Sequence, residues 1–470
     1  MTLLKNPRPR IQAWELAKQA TPERLLCARA ALKDIRAGAS VFEAVSRHPL
    51  EGGGFVGKQI LVAAYRELVQ TGAWAEEPGL LARIRLKPMR SLSGVSVVTV
   101  LTKPYPCPGK CVFCPTDVRM PKSYLPDEPG AMRALQHEFD PYEQVRSRLD
   151  TLTTLGHPTD KIELLILGGT WSSYKRGYQE EFILRMFDAL NGVPSSSLRA
   201  AQQLNEIATH RTVGLAIETR PDHIDLDELA WLRSLGVTKV QLGAQSFDDQ
   251  ILELNKRGHS VAETRRATAL LRAAGFKIVL HWMPNLLGAT LAGDRVDFAK
   301  LWDGFCPDEL KIYPTQLLKN AELYLNWQRG EYHPYSTEEL VELLAELKAA
   351  IPEYCRVNRV IRDIPSTNVV EGNKRTSLRM DVHALMRSRG QSCRCIRCRE
   401  VRASLVDLDG LETKDFTYPA GTAEEHFLSF VTPEDRLAGF LRLSLPGPAS
   451  PPTNLVDLAG AALVREVHVY

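Results

Sequence analysis

The stretch VSVVTVLTKPYPCPGKCVFCP, residues 95–115, decides how the rest of the chain reads. Its first seven residues, Val95 to Leu101, are apolar and β-branched and predict a buried strand. The strand runs into a loop punctuated by proline and glycine that carries Cys107, Cys111 and Cys114. Spacings of four and three residues let one loop wrap three thiolates around one centre. An electron-transfer cluster usually takes four cysteines, so three leave one iron of a four-iron cubane open to a ligand, and an open iron means chemistry at the iron. A structural zinc site with a remote fourth ligand is the competing reading, which the spacing disfavours because zinc knuckles usually pair two short hairpins.

Outward from this stretch the pattern repeats. Short β-branched runs at 162–167, 212–218, 239–242, 277–282 and 309–313 follow the first strand, with amphipathic helices such as 180–190, 226–235 and 262–274 between them. Six such strand–helix repeats predict an α/β fold built as a partial parallel (β/α)6 barrel, with its chemistry at the C-terminal strand ends. A doubly wound open sheet is the alternative, but cysteines stand after the first strand where its glycine-rich phosphate loop would be. Before the barrel, residues 5–36 carry eight cationic side chains (Lys5, Arg8, Arg10, Lys18, Arg24, Arg29, Lys33 and Arg36) against Glu15, Glu23 and Asp34. Leu25, Ala28, Leu32 and Ile35 give this segment helical spacing, so it reads as a basic helix that is either a solvated face or a surface for a polyanion. Beyond Ile364 the alternation fails, and 425–430, 437–443 and 463–470 read as antiparallel strands, two of them separated by PGPASPPTN (446–454).

Composition sets bounds on this reading. A chain of 470 residues with 44% hydrophobic and 24% charged side chains has an ordinary globular balance, and no run approaches the roughly 20 apolar residues of a membrane span. The start, MTLLKNPRPRIQAWELAKQ, is broken by Lys5, Arg8 and Arg10 and lacks a secretory signal, so the expected compartment is the cytoplasm. A net charge of +3 is too small for a protein that coats nucleic acid over its whole surface and leaves room for local basic patches. Nine cysteines in a reducing compartment are no disulfide framework, and six of them fall in two tight triplets, which points to metal.

CxxxCxxC at the end of the first barrel strand resembles the radical S-adenosylmethionine (SAM) superfamily, in which a [4Fe-4S] cluster binds SAM at its open iron and one-electron reduction releases a 5′-deoxyadenosyl radical. The resemblance implies SAM contacts at Gly168, Gly169 and Thr170 after the second strand, at Glu218 closing the third and at Gln245 ending the fourth. His281 and Met283 would face an adenine site, although a buried histidine is more often a packed core residue. Further segments sharpen the likeness: YLPDEPGAMRA (124–134), FDPYEQVRSRL (139–149), ILGGTWSSY (166–174), IETRPD (217–222), VQLGAQSFDD (240–249), NKRGH (255–259), LKIYPT (310–315), RGEYHPYSTEEL (329–340), RVIRDIP (359–365) and CRCIRCREV (393–401). Together they resemble the catalytic subunit of Elongator and its single-chain bacterial and archaeal relatives, from about residue 15 to the end.

That resemblance implies modification of the wobble uridine, U34, of tRNA. The deoxyadenosyl radical would take hydrogen from the methyl group of acetyl-CoA, and the carbon radical would add to carbon 5 of the uracil, leading to 5-carboxymethyluridine. A uracil C–H resists polar substitution, whereas a radical adds to the unsaturated ring, so one fold must gather cluster, SAM, acetyl group and flipped base. Lys122, Lys311 and Tyr313 are rim candidates for handling the acetyl group, and no catalytic residue is assigned.

The second triplet, Cys393, Cys395 and Cys398, lies among Arg379, Arg387, Arg389, Arg394, Arg397, Arg399 and Arg402, against only Asp381 and Glu400. Three close cysteines read as zinc ligands with a fourth from elsewhere; His383 is the nearest imidazole, a place a solvated histidine fills as readily. The expected result is a zinc-stiffened arginine platform for phosphates of the anticodon stem-loop, and the competing one a basic loop with free thiols.

The implied organisation is a basic tRNA-binding region over 1–90, a radical SAM domain over 91–365, a zinc-binding basic linker over 366–411 and the leading strands of a GNAT-like acetyltransferase domain over 412–470. The sequence stops at LVREVHVY (463–470), ahead of the glycine-rich turn that cradles acetyl-CoA in such domains, so the resemblance carries over no acetyl-CoA residue and implies an incomplete site. An unpaired edge at 466–470 would leave room for a second copy or an accessory subunit. Two other functions stand beside the tRNA reading: an acetyl-CoA-dependent protein lysine acetyltransferase, and a non-catalytic tRNA-binding protein whose metal sites only brace the fold.

Overall fold

A computed structural model describes residues 19–86, 93–402, 404 and 406–470. The described residues form two compact units: those from 19 to 96 with 146–161, and those of 97–145 with 162–470. Lys5, Arg8, Arg10 and Lys18 of the basic segment lie outside the described residues. Among the described residues no helix is long and apolar enough to cross a membrane.

The first unit is helical because its apolar residues recur at helical spacing and its helices start on good caps. Thr21 accepts a hydrogen bond from the Arg24 amide at the start of helix Pro22–Arg36, and Ser40 and Glu43 close a reciprocal capping box on helix Val41–Ser46. Ala28, Ala31, Leu32 and Ile35 of the first helix are fully buried against Ile60, Leu61 and Ala64 of helix Lys58–Gln70 and Ile84 of helix Pro78–Ile84. The opposite face is less free than its charge suggests. Arg29 pairs with Glu67, and Arg36 pairs with Glu77 at 2.6 Å while lying 4.8 Å from the centre of the Trp74 ring.

The larger unit carries two sheets. The first holds seven strands in strictly sequential order: β1 Val95–Leu101, β2 Lys161–Leu167, β3 Arg211–Thr219, β4 Lys239–Gln245, β5 Lys277–Trp282, β6 Glu309–Ile312 and β7 Arg356–Arg359. Neighbours from β3 to β7 pair in parallel. A doubly wound sheet reverses its strand order at a switch point; this one never does, which is the order of a partial barrel.

The six strands expected from sequence are present at those places, and β7 is a seventh. Its four residues, RVNR, contain one apolar side chain and escape any hydrophobic pattern. Backbone pairing with β6 places it, Glu309 opposite Arg356 and Leu310 opposite Val357.

The second sheet is antiparallel in the order β11–β10–β9–β8, with β8 Glu412–Ala420, β9 Ala423–Val431, β10 Leu437–Pro446 and β11 Leu463–Val469. β8 carries no strand signal in its sequence, because ETKDFTYPA buries only Tyr418 and Ala420. The edge strand β11 leaves Val464, Val467 and Val469 exposed.

The two sheets of this unit meet through buried charge. Asp308, one residue before β6, takes both Nη atoms of Arg465 at 2.7 Å, and Glu425 of β9 pairs with the same guanidinium; Arg465 and Asp308 side chains are fully buried. Arg442 of β10 donates to Glu466 at 2.8 Å, and Glu466 also pairs with Lys277 at the start of β5. Lys277 and Lys239 share Glu309, at 2.6 and 3.5 Å.

Candidate metal and cofactor centre

Parallel strands bring their C-terminal ends to one rim, so the loop after β1 is the natural floor of a site. Cys111 is buried, Cys107 and Cys114 half-buried, and all three thiols are free. Their polar neighbours come from the ends of three other strands. The Cys107 thiol lies 3.5 Å from the Thr170 hydroxyl, beyond β2. Arg257, after β4, donates from Nη1 to Cys111 Sγ at 3.0 Å and from Nη2 to the Gly243 carbonyl. Arg220, after β3, is held through Nε and Nη2 by the Asp222 carboxylate at 2.9 and 3.0 Å, while its buried Nη1 has no hydrogen-bond partner among the described residues. Burial and then the neighbouring Cys111 push the Cys114 thiol up to about 11, against Lys122 and Arg362.

Gly109 leaves room for a guanidinium at the thiol loop. A Cβ there would lie 2.7 Å from Arg220 Nη1 and 3.5 and 3.6 Å from the Cys111 and Cys107 sulfurs. Three thiols on one loop, ringed by fixed guanidinium groups with a free N–H, are a donor set suited to an anionic thiolate-bound cluster.

The remaining residues expected from sequence gather on the same rim. Gly168 and Gly169 have φ of 137° and 87°, which side-chain-bearing residues resist, and the Gly168 carbonyl accepts from Thr102 and Tyr174. A Cβ on Gly168 would sit 1.9 Å from Thr102 Oγ1. Gly168→Ala is therefore expected to lower stability by more than about 1–3 kcal/mol, read as a lower urea midpoint, where a surface glycine such as Gly52 changes little.

Gln245 ends β4 in a left-handed conformation, φ 72°, with its side-chain Oε1 buried and unpartnered among the described residues. Such strain on a non-glycine residue persists where the surroundings impose it, often at functional positions. Its carbonyl accepts from the Met283 amide at 2.8 Å.

Glu218 sits deeper than a simple rim residue. Tyr124 donates to it at 3.1 Å and Lys311 at 3.3 Å, and His281 Nε2 is 3.3 Å away. Burial pushes its carboxyl up, but Lys311, by charge and by hydrogen bond, and then Arg362 outweigh that and hold it below the usual range. His281 is pushed down to about 3 by burial, then by Lys311, and so stays neutral; it bonds Gln241 at 3.3 Å and meets Tyr313 edge-on. It belongs to this buried polar cluster, the packed role that sequence reasoning weighed above a ligand role. Lys122 is tied to Thr116.

Sequence reasoning gave no role to Arg220, Arg257, Tyr124 or Arg362. All four lie in segments quoted above, IETRPD, NKRGH, YLPDEPGAMRA and RVIRDIP, yet a motif names positions and not directions. Arg362 donates to the Ser123 carbonyl at 2.7 Å and pairs with Glu128 at 3.2 Å, tying the end of the barrel to the loop after the cysteines.

The second triplet is tighter. The Sγ atoms of Cys393, Cys395 and Cys398 lie within 4.8 Å of one another, the spacing a single tetrahedral ion needs. Lys348, fully buried, donates to Cys393 Sγ at 3.3 Å, and His383 Nε2 is 3.8 Å from Cys398 Sγ. A buried ammonium against three thiols suits thiolates that share a cation.

The arginines around it are not one open platform. Arg399 is buried and paired with Asp435 at 2.8 Å, Arg379 donates to the Val357 carbonyl and Arg397 to that of Asn358. Arg389 and Arg394 are exposed but engaged by Glu342 and Glu353, and Arg387 and Arg402 are exposed.

The chain is similar to known proteins over most of its length. Residues 105–300 match the radical SAM superfamily and residues 307–388 the radical SAM C-terminal domain. The chain is 45% identical to the tRNA uridine(34) acetyltransferase of Dehalococcoides mccartyi, over 81% of this chain and 84% of that one. It is 42% identical to the protein of the same name in Methanocaldococcus jannaschii (86% and 77% covered), and 36% identical to human Elongator complex protein 3 (83% and 74%). The solved structure of archaeal Methanocaldococcus infernus Elp3, with residues 1–46 deleted, superposes with a TM-score of 0.71 at 39% identity, over 81% of this chain and 84% of that one. A radical SAM fold implies a [4Fe-4S] cluster and SAM, for which the loop after β1 has the donors. The sequential parallel sheet, the thiol loop at its rim and these likenesses together make the chain a radical SAM enzyme belonging to the family of the tRNA uridine(34) acetyltransferases and Elongator complex protein 3.

Proposed function

We propose that this chain modifies the wobble uridine of tRNA, adding a carboxymethyl group at carbon 5 with acetyl-CoA as carbon donor. The observation that carries the proposal is identity of 42–45% over most of the chain to relatives named for acetyl transfer at uridine 34. Cys107, Cys111 and Cys114 hold the cluster in this reading, and Gly168, Gly169, Thr170, Glu218 and Gln245 line the SAM site. When bound, cluster and SAM supply a carbon-centred radical under one-electron reduction.

The chain's own residues do the rest. The two glycines open the backbone at the end of β2 to a close ligand, and Gln245 offers an unpartnered carbonyl oxygen within the rim. Lys311, with Arg362 beyond it, keeps Glu218 ionised, so that it can take a cation or a ribose hydroxyl. Cys393, Cys395 and Cys398 hold zinc, with His383 the nearest further donor. The exposed Arg387, Arg389, Arg394 and Arg402 contact phosphates of the anticodon stem-loop.

The test uses acetyl-CoA labelled with deuterium in its methyl group, SAM, a reductant and unmodified tRNA. Mass spectrometry of the digested tRNA is expected to find a labelled carboxymethyl group on uridine 34 alone. Label on protein lysines with none on tRNA would replace the proposal with the protein acetyltransferase reading.

A further inference from the structure

We propose that Arg220 and Arg257 form a fixed pair of cations that raises the reduction potential of the cluster at Cys107, Cys111 and Cys114, with Arg220 acting as a positioning residue through the cluster sulfurs. The inference rests on reading that loop as a cluster site and goes beyond it by naming what tunes the cluster.

Burial is the first argument. Arg220 is 6% exposed and Arg257 5%. A guanidinium taken out of water is costly unless paired, and these two are paired unevenly. Arg220 has one carboxylate, Asp222, on its Nε and Nη2 side. Among the described residues Arg257 has no carboxylate partner; its polar contacts are the Cys111 sulfur and the Gly243 carbonyl. Two cations against one anion leave net positive charge beside the thiols, an arrangement that an anion between them would stabilise.

Direction is the second. Arg220 Nη1, buried without a partner, points to the space over Gly109 that the Cys107 and Cys111 sulfurs also border. Asp222 grips the other side of the guanidinium and so fixes which nitrogen is left over. Glycine stands on two sides of that group, at Gly109 and at Gly258, where a Cβ would lie 3.4 Å from Nη2. The chain thus makes room for this guanidinium at Gly109, where a Cβ would crowd Nη1, and keeps ordinary contact with it at Gly258.

The consequence is electrostatic. A cluster held by three thiolates is anionic and gains one more negative charge on reduction. Fixed cations and N–H donors at its sulfurs stabilise the reduced form more than the oxidised one, and burial keeps salt from screening them.

The test is an EPR-monitored redox titration of the reconstituted full chain, with iron content and circular dichroism measured on each variant. Arg220→Gln is expected to bind iron as the parent does, but to show at least a tenfold lower ratio of reduced to oxidised cluster at a fixed poise, which is about 59 mV. Arg220→Lys, which keeps the charge, should recover most of that ratio. Asp222→Asn removes the opposing anion and should raise the ratio, so it tests the same idea with opposite sign even where Arg220→Gln fails to fold. An unchanged midpoint in iron-loaded Arg220→Gln, or a fall in Asp222→Asn, would overturn the inference and leave the cluster reading intact. Failure of the parent chain to take up iron at the three cysteines would overturn both.

Discussion

Cys111→Ala will leave a folded chain that holds no four-iron cluster and releases no 5′-deoxyadenosine above background. The substitution removes one thiol from a loop whose backbone is set by other contacts: the Cys114 amide bonds the Cys111 carbonyl, and the Val112 amide and carbonyl bond Asn255 and Leu323. Secondary structure should therefore survive. Cluster binding should not, since two thiols and an unpaired Arg257 remain where three thiols stood. Changes in residues that merely support metal ligands cost about 10–100-fold in affinity or activity, so loss of a ligand should exceed about 100-fold. Iron per chain and deoxyadenosine per hour, measured anaerobically against the parent, decide it. Retention of both would move the cluster elsewhere.

Asp308→Ala is expected to lower unfolding stability by about 3–5 kcal/mol, the cost of leaving a buried charge uncompensated. Arg465 would keep Glu425 but lose both bonds to Asp308, and Arg442 would lose its 3.5 Å partner. All of these side chains are 0–1% exposed, so water cannot stand in for the carboxylate. Burial alone pushes the Asp308 carboxyl up, but Arg465 and Arg442 outweigh it and hold it well below the usual range. A depressed folded value means stability that is fully present above about pH 4, the ordinary carboxylate range, and is lost as pH falls through the folded value. Glu466, drawn down by Lys277 and Arg442 against burial, adds to the same acid limb. Urea unfolding at pH 7 and at pH 3 should show a smaller pH dependence in Asp308→Ala than in the parent.

Much of the fold was legible because parallel strands buried on both faces leave apolar runs. Val95–Leu101 and Lys277–Trp282 have the limits that their β-branched runs predict. What stayed hidden was polar. β7 and β8 owe their place to backbone pairing and ion pairs, and RVNR or ETKDFTYPA carries no periodic signal. The ion-pair cluster around Asp308 joins residues over 100 positions apart, a distance no local pattern spans.

The candidate site divides in the same way. Cysteine spacing and strand order located the thiols, the two glycines and Gln245, because each reflects a local demand of ligand bite or backbone shape. Arg220 and Arg257 were present in quoted motifs, yet their direction toward Cys107 and Cys111 depends on where β3 and β4 end. The arginines near Cys393 illustrate the reverse error: a count of charges predicted one open platform, whereas Arg379, Arg397 and Arg399 serve the fold.

The most direct test of a radical enzyme that acts on tRNA is the yield of 5′-deoxyadenosine from reconstituted chain, SAM and dithionite, with and without a tRNA bearing uridine at position 34. The account predicts a yield that depends on Cys107, Cys111 and Cys114 and rises with that tRNA but not with one lacking the uridine. A fully loaded cluster that cleaves no SAM under any of these conditions would contradict it.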